Sequence, residues 1–138
     1  MRVAPMLRAL IRTAAVLDHQ MSEALRPSGI TLTQYNVLRI LRGAGPSGLC
    51  GREIAERLVA RVPDVPRLVE RLEVMRLIRR ERDPEDRRHV TATITPKGLR
   101  LLEEVTPGLE AVEQARLGRL SSRTLDGLIE GLAAVRGA

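Results

Sequence analysis

The chain has 138 residues, a formal charge of +6 and a pI of about 11.0; 43% of its residues are hydrophobic, yet it holds one Tyr, no Phe and no Trp. That length fits one domain able to bury its own core, and a core of Leu, Ile, Val, Ala and Met favours helices over a β-sandwich. The lone Cys50 excludes an internal disulfide and a cysteine-based zinc site, and no apolar run nears the roughly 18 residues of a membrane span.

The basic balance is the footprint expected for a polyanion partner. Of the 23 basic residues only Lys97 is lysine. Arginine suits bidentate contact with phosphate and guanine, although coding in a GC-rich genome enriches it as well. The N-terminal run MRVAPMLRALIRTAAVLD has the outline of a targeting segment. Arg2, Arg8 and Arg12 interrupt it and no small-residue cleavage site follows, so a cytoplasmic protein is expected.

From Pro5 to Leu25, apolar Leu7, Leu10, Ile11, Ala14, Leu17, Met21 and Leu25 recur in steps of three and four, the stripe of one helix. Pro27, Ser28 and Gly29 end it. A terminal helix of this length needs a partner for its stripe, and a second subunit is one candidate. Leu32 to Arg42 reads as a second helix with Thr33 as its N-cap. Gly43 to Gly48 reads as a loop. Gly51 to Leu58 reads as a third helix facing Ile54, Ala55 and Leu58 inward.

The fourth helix, Asp64 to Met75, buries Val65, Leu68, Val69, Leu72 and Met75. Pro66 has no N–H and clashes with a preceding turn, so the helix must begin late, with Asp64 as N-cap. Leu77 to Arg82 and His89 to Ile94 read as two strands around a charged hairpin. In the second, Val90, Ala92 and Ile94 alternate with Thr91 and Thr93. Thr95-Pro96 starts another helix, which Pro107-Gly108 should kink or break. Ser121 or Ser122 caps a last helix carrying Leu125, Leu128, Ile129, Leu132 and Val135.

Helix, short helix, helix and hairpin make the winged helix-turn-helix order. Arg67 and Arg71 lie one turn apart on the outer face of the fourth helix. Between Arg61 and Arg100 stand eleven basic and seven acidic residues. The arginines at 79, 80, 82, 87 and 88 concentrate on the hairpin, and Glu81, Asp83, Glu85 and Asp86 are interspersed among them. On charge alone, a solvated hairpin with self-cancelling charge remains open.

The runs LTQYNVLRIL, REIAERL, RLVERLE and LIRRERDPEDRRHVTATITPKG resemble the MarR family of bacterial transcription regulators, in close order from about Leu32 to Leu102. The resemblance implies a mainly α fold with a small β-hairpin wing. A single domain, 1–138, would place the winged helix-turn-helix lobe at about 32–100 and dimerisation helices at about 3–26 and 101–138. It also implies a homodimer on an inverted-repeat operator in double-stranded DNA, most often as a repressor relieved by a small molecule. The family's wing Asp and Arg match Asp86 and Arg88; a carboxylate two residues away can orient a guanidinium, and arginine suits narrow minor grooves. Arg87 and His89 would flank that contact. Arg67 and Arg71 would touch bases or phosphates, and Thr33, Arg52 and Arg61 the backbone. His19, Tyr35 and Arg39 are candidates to line an effector crevice.

Three features depart from the family's pattern. Pro66 stands where a hydroxyl is usual. Asp64 would repel phosphate, though it can accept from a cytosine amino group. Arg76 replaces the glycine that ends the fourth helix with positive φ, so a strained turn or a different termination is expected. Cys50, just before the third helix, is a reactive thiol only if the helix amides depress its pKa; otherwise it is an inert loop residue. His19 and His89 lack a third ligand for a metal. No nucleophile–base pair and no phosphate loop appears, so neither a catalytic site nor a cofactor is expected. The competing class is a winged helix module that has lost DNA reading and binds a protein.

Overall fold

The computed structural model describes residues 2–138. In chain order the elements are α1 (Val3–Leu25), α2 (Leu32–Ala44), β1 (Leu49–Cys50), α3 (Gly51–Arg57), α4 (Val65–Val74), β2 (Ile78–Arg82), β3 (Val90–Ile94), α5 (Pro96–Leu117) and α6 (Ser122–Arg136). The mainly helical fold with a wing is as expected, but the sheet has three strands in the order β1-β3-β2, all antiparallel. β1 lies just past the Gly43–Gly48 segment expected to be a loop, at two residues given no element from the sequence. Its two residues are too few for any periodicity, and only pairing of Leu49 with Ala92 and Cys50 with Thr91 makes them a strand. Gly48 permits this approach: φ is +66°, and a Cβ there would collide with the Ala92 carbonyl oxygen.

α2 is capped by Thr31 and not by Thr33, the residue expected from the sequence. The Thr31 hydroxyl accepts from the Gln34 N–H at 3.1 Å, and the Gln34 side chain accepts from the Thr31 N–H at 2.9 Å. This reciprocal box satisfies two first-turn donors, which a cap at Thr33 cannot do. The helix runs on to Ala44, and a 3-10 turn over Gly45–Ser47 completes the expected loop. In α3, Ile54 is buried but Ala55 is exposed, so the short helix turns a narrower face inward than expected. Pro107 does not break α5. It stands inside one continuous helix on the solvent side, where water can satisfy the Glu103 carbonyl that loses its partner.

The core sits inside the winged helix lobe, where Val37, Leu38 and Leu41 meet Ile54, Leu72, Leu77 and Ile78. α5 starts from the Thr95 cap and packs its buried Leu102, Val105 and Leu109 toward α1 and α2. Gly98, in the TPKG run, touches this junction; a side chain there would strike the Leu77 carbonyl oxygen and Ile94. The outer ends differ sharply. Leu25 is the one buried residue of α1, and α6 has none. Ile11 is 61% exposed and Ile129 65%, with Met6, Leu7, Leu128 and Val135 also open. No helix of the described residues is long and apolar enough to cross a membrane.

Candidate nucleic-acid interface

α4 begins as the two prolines require. Asp64 is the N-cap, and its Oδ1 accepts the Arg67 N–H at 3.0 Å. Pro66 stays within the first turn, where its missing N–H costs nothing. Val65, Val69 and Leu72 are buried, which turns Arg67, Glu70, Arg71 and Val74 outward. Arg67 and Arg71 border a shallow groove of about 390 Å³ with Gln34, Glu70, Val74 and Met75.

The exit of α4 is a left-handed turn. Arg76 has φ 63°, the one positive φ outside glycine among the described residues. The Leu77 N–H reaches back to the Leu72 carbonyl at 3.0 Å, and the Arg76 N–H to Glu73 at 2.8 Å. This is the termination a glycine usually serves, kept here with a side chain in place. It is held from α5: the Thr95 hydroxyl donates to the Arg76 carbonyl at 2.7 Å and the Lys97 amine to Met75 at 3.0 Å.

Carboxylates shape the tip of the wing. Asp83 Oδ1 accepts the Glu85 N–H at 2.9 Å, and Asp86 Oδ1 accepts the Arg88 N–H at 3.1 Å. The Arg88 Nε lies 3.6 Å from the same Asp86 oxygen, while the Arg88 side chain is 96% exposed. The Arg82 guanidinium donates to the Arg87 carbonyl at 2.7 Å, closing the loop from the strand side. So the acidic residues fix the turn and leave Arg87 and Arg88 projecting.

At the base of the wing, Glu73 takes three hydrogen bonds from Arg80. Its Oε1 accepts from Nε at 3.1 Å and from a terminal nitrogen at 2.8 Å, and its Oε2 accepts the Arg80 backbone N–H at 3.1 Å. The Arg80 guanidinium holds the Glu73 carboxyl below its ordinary pKa, and Glu73 raises that of Arg80 in turn. Sequence reasoning assigned neither residue a role. Seven positions apart across a helix exit, they share no periodic signal. Thr31 was legible, because Thr31-x-x-Gln34 is a capping-box pattern.

The remaining candidates are dispersed. Thr33 is half-buried in the first turn of α2, and Arg61 is exposed in the approach to α4. Arg52 is exposed on α3, with its Nε 3.5 Å from Glu56. His19 and Arg39 are exposed, and Tyr35 is half-buried against the core. A separate groove of about 330 Å³ beside the α4 exit is lined by Ser28, Met75, Leu77, Lys97, Arg100, Leu101 and Glu104. Cys50 is the N-cap of α3, its thiol at the Glu53 amide, and the Glu53 side chain accepts the Cys50 N–H at 3.1 Å. Hydrogen bonds from Cys50 hold the Glu53 carboxyl below its ordinary pKa. Among the described residues no cluster of three or more His, Cys, Asp or Glu could hold a metal ion.

A family model described as MarR family matches residues 28–89. The Bacillus subtilis HTH-type transcriptional repressor MdtR is 32% identical over 109 residues, covering 79% of this chain and 69% of its own length. The crystal structure of Sco3205, a MarR family transcriptional regulator from Streptomyces coelicolor in complex with DNA, matches with a TM-score of 0.88. It is 28% identical, and the match covers 96% of this chain and 84% of that one. A structure addressing the regulation of DNA binding of Bordetella bronchiseptica BpsR by 6-hydroxynicotinic acid matches with a TM-score of 0.83 at 27% identity, covering 95% and 92%. The chain spans 64%, 86% and 69% of the length of three curated relatives.

Proposed function

The chain belongs to the MarR family of DNA-binding transcription regulators, which are not enzymes, and from that premise we propose that it acts in the cytoplasm as a homodimeric repressor on an inverted-repeat operator. A small molecule, of the aromatic-acid kind, would lower its affinity. Each subunit would lay α4 in a major groove, with Arg67 and Arg71 toward bases or phosphates and Asp64 at the leading end. Arg88, oriented by Asp86 and flanked by Arg87, would enter the minor groove. Thr33, Arg52 and Arg61 would touch the backbone. His19, Tyr35 and Arg39 are the proposed effector contacts.

The observation that carries the DNA reading is the wing tip. Two of its carboxylates, Asp83 and Asp86, are engaged in turn hydrogen bonds, while Arg88 is left 96% exposed beside Asp86. Such a tip presents positive charge outward in spite of its mixed composition. The exposed apolar faces of α1 and α6 support the dimer, because contiguous apolar surface of this kind is normally covered. Repression and ligand response are supported by what MdtR and BpsR are described as doing.

The test is selection of duplexes from a random pool by the full chain, followed by binding to the selected duplex across a salt series. Expected are a dissociation constant of about 10⁻⁸ M or tighter near physiological salt and a log–log slope of about −0.9 per phosphate neutralised. A sedimenting mass twice the 15.3 kDa of the chain is expected alongside. Weak binding without sequence preference sinks the regulator reading in favour of a protein-binding module.

A further inference from the structure

In the β2–β3 ladder, Leu77 pairs with Thr95 and Asp83 with His89 through N–H···O bonds, donated by Thr95 at 3.1 Å and by Asp83 at 2.9 Å. Antiparallel pairs alternate between bonded and non-bonded partners. The pairs between them therefore place Arg79 and Glu81 in bonded positions. Arg80, opposite Ala92, is in a non-bonded one, with its N–H turned away from β3. β2 is an edge strand, so that N–H faces no further strand. Glu73, one residue before the end of α4, meets it with Oε2 and clasps the Arg80 guanidinium with Oε1. The carboxylate thus pairs the free edge of the wing at the same point where it grips the wing's side chain. Both side chains are about one-third exposed, at 33% and 36%, so water competes only in part. The links from the α4 exit to Thr95 and Lys97 hold α5, and buried Ile78 and Ala92, with the pairing of β3 to β1, hold the inner end of the wing; none of these grips the free edge of β2 at Arg80.

We propose that Glu73 and Arg80 are positioning residues: a strut that fixes the wing against α4, so that Arg88 and the Arg67–Arg71 face meet one duplex in a single register. The proposal rests on the DNA-binding function proposed for the chain, but its geometric half does not. Three hydrogen bonds from one residue to one carboxylate, two of them donated by the charged guanidinium, add geometric specificity as well as strength. Without them the wing is tied to α4 at its inner end alone, through the Met75–Leu77 turn and the core shared by Leu72, Leu77 and Ile78. Arg88 sits at the far end of the hairpin, so a small change of angle at Arg80 is magnified there.

The test uses the full chain in two arms, with the variants Glu73→Gln and Arg80→Met. Glu73→Gln keeps an acceptor for the backbone N–H and loses the ion pair; thermal melts establish that each variant folds. In the first arm Cys50 is replaced by Ser, and spin labels are placed at Val74→Cys and Arg87→Cys. The distance distribution between them is measured in free protein by electron paramagnetic resonance. A narrow distribution is expected with the strut intact, and a broadened or displaced one in both strut variants. In the second arm, Arg88→Ala is combined with each variant and binding is measured to the duplex selected by the unaltered chain. With the strut, Arg88→Ala should weaken binding by about tenfold or more. Without it, the same change should cost under about threefold, because the arginine is already misplaced. A merely structural pair would lower stability yet leave the Arg88 effect intact. Unchanged distances, or an Arg88 effect that simply adds, overturns the strut. If the unaltered chain selects no duplex, the DNA reading fails, and the distance arm still decides the geometric claim.

Discussion

Arg76 is where the fold strains most openly, and replacing it with glycine should stabilise the chain. Its φ of 63° puts a Cβ against its own backbone, at a cost of about 1–2 kcal/mol for an L-residue. Glycine removes that cost but gives back roughly 0.5–1 kcal/mol of unfolded-state entropy. The bonds that hold the turn survive the change, because on the Arg76 side all are made by backbone groups: the Arg76 N–H to Glu73, the Arg76 carbonyl from Thr95, and the Leu77 N–H to Leu72. The Arg76 side chain is exposed, so its loss uncovers no core. The net expectation is a gain of about 0.5–1 kcal/mol, or roughly 2–5 °C in Tm for a domain of this size. Melting by circular dichroism, at fixed protomer concentration because association shifts Tm, reads this directly. Arg76→Ala is the control: it keeps the Cβ and its strain, so its Tm should fall below that of the glycine variant by the same margin. Equal melting of the Gly and Ala variants would refute the claim that the left-handed conformation carries the strain.

Thr31→Ala should cost about 1 kcal/mol, since it removes the hydroxyl that caps α2 and half of the reciprocal box with Gln34; an unchanged denaturant midpoint would show that water caps the helix equally well. Thr33→Ala should cost much less. Because Glu73 has its folded pKa lowered by Arg80, its stabilising effect is complete above the unfolded carboxylate value and is lost as pH falls through the folded value. The stability gap between the native chain and Glu73→Gln should therefore be flat above about pH 5.5 and shrink under acid, from an unfolded value near 4.3; a gap that widens toward low pH contradicts the ion pair. On the proposed reading, Asp64→Ser keeps an N-cap and removes a carboxylate from each half-site. Its affinity for unselected duplex should rise about fivefold, taking about 0.5 kcal/mol per exposed charge, and an unchanged affinity would place Asp64 away from DNA.

What could be read in the sequence was whatever one element decides alone. The apolar stripe of α4, its late start at Asp64 and the period-two run Val90–Ile94 are local patterns, and the structure has them within a residue or so. The exit at Arg76 was legible only in part: the sequence left a strained turn and a different termination both open, and the positive φ selects the strained turn. What pairing decides was not legible. β1 exists only because β3 passes beside it, and the Glu73–Arg80 contact joins a helix end to a strand edge that no spacing rule connects. The break offered as one outcome at Pro107 does not occur, and that outcome too was beyond local reading, because the exposure of Pro107 is set by the neighbours of α5.

The two ends of α4 are built for opposite purposes, and the difference bears on how the chain would hold DNA. A helix N-terminus ordinarily offers free amides and a positive dipole end to a phosphate. Here Pro63 and Pro66 have no amide hydrogen, the Arg67 amide is taken by Asp64, and the Asp64 carboxylate cancels the dipole's positive end. Of its first three residues, the leading end thus keeps only the Val65 amide for a phosphate, beside a carboxylate that repels it. The trailing end is tied through Thr95 and Lys97 to the start of α5 and through Glu73 to β2, which leaves it little freedom to adjust. A reader of this design must take its affinity from side chains, namely Arg67, Arg71 and the arginines of the wing. Its discrimination must then come from where those side chains are held. That is why the placement of the wing against α4 matters more here than in a helix that anchors itself on phosphate through its own amides.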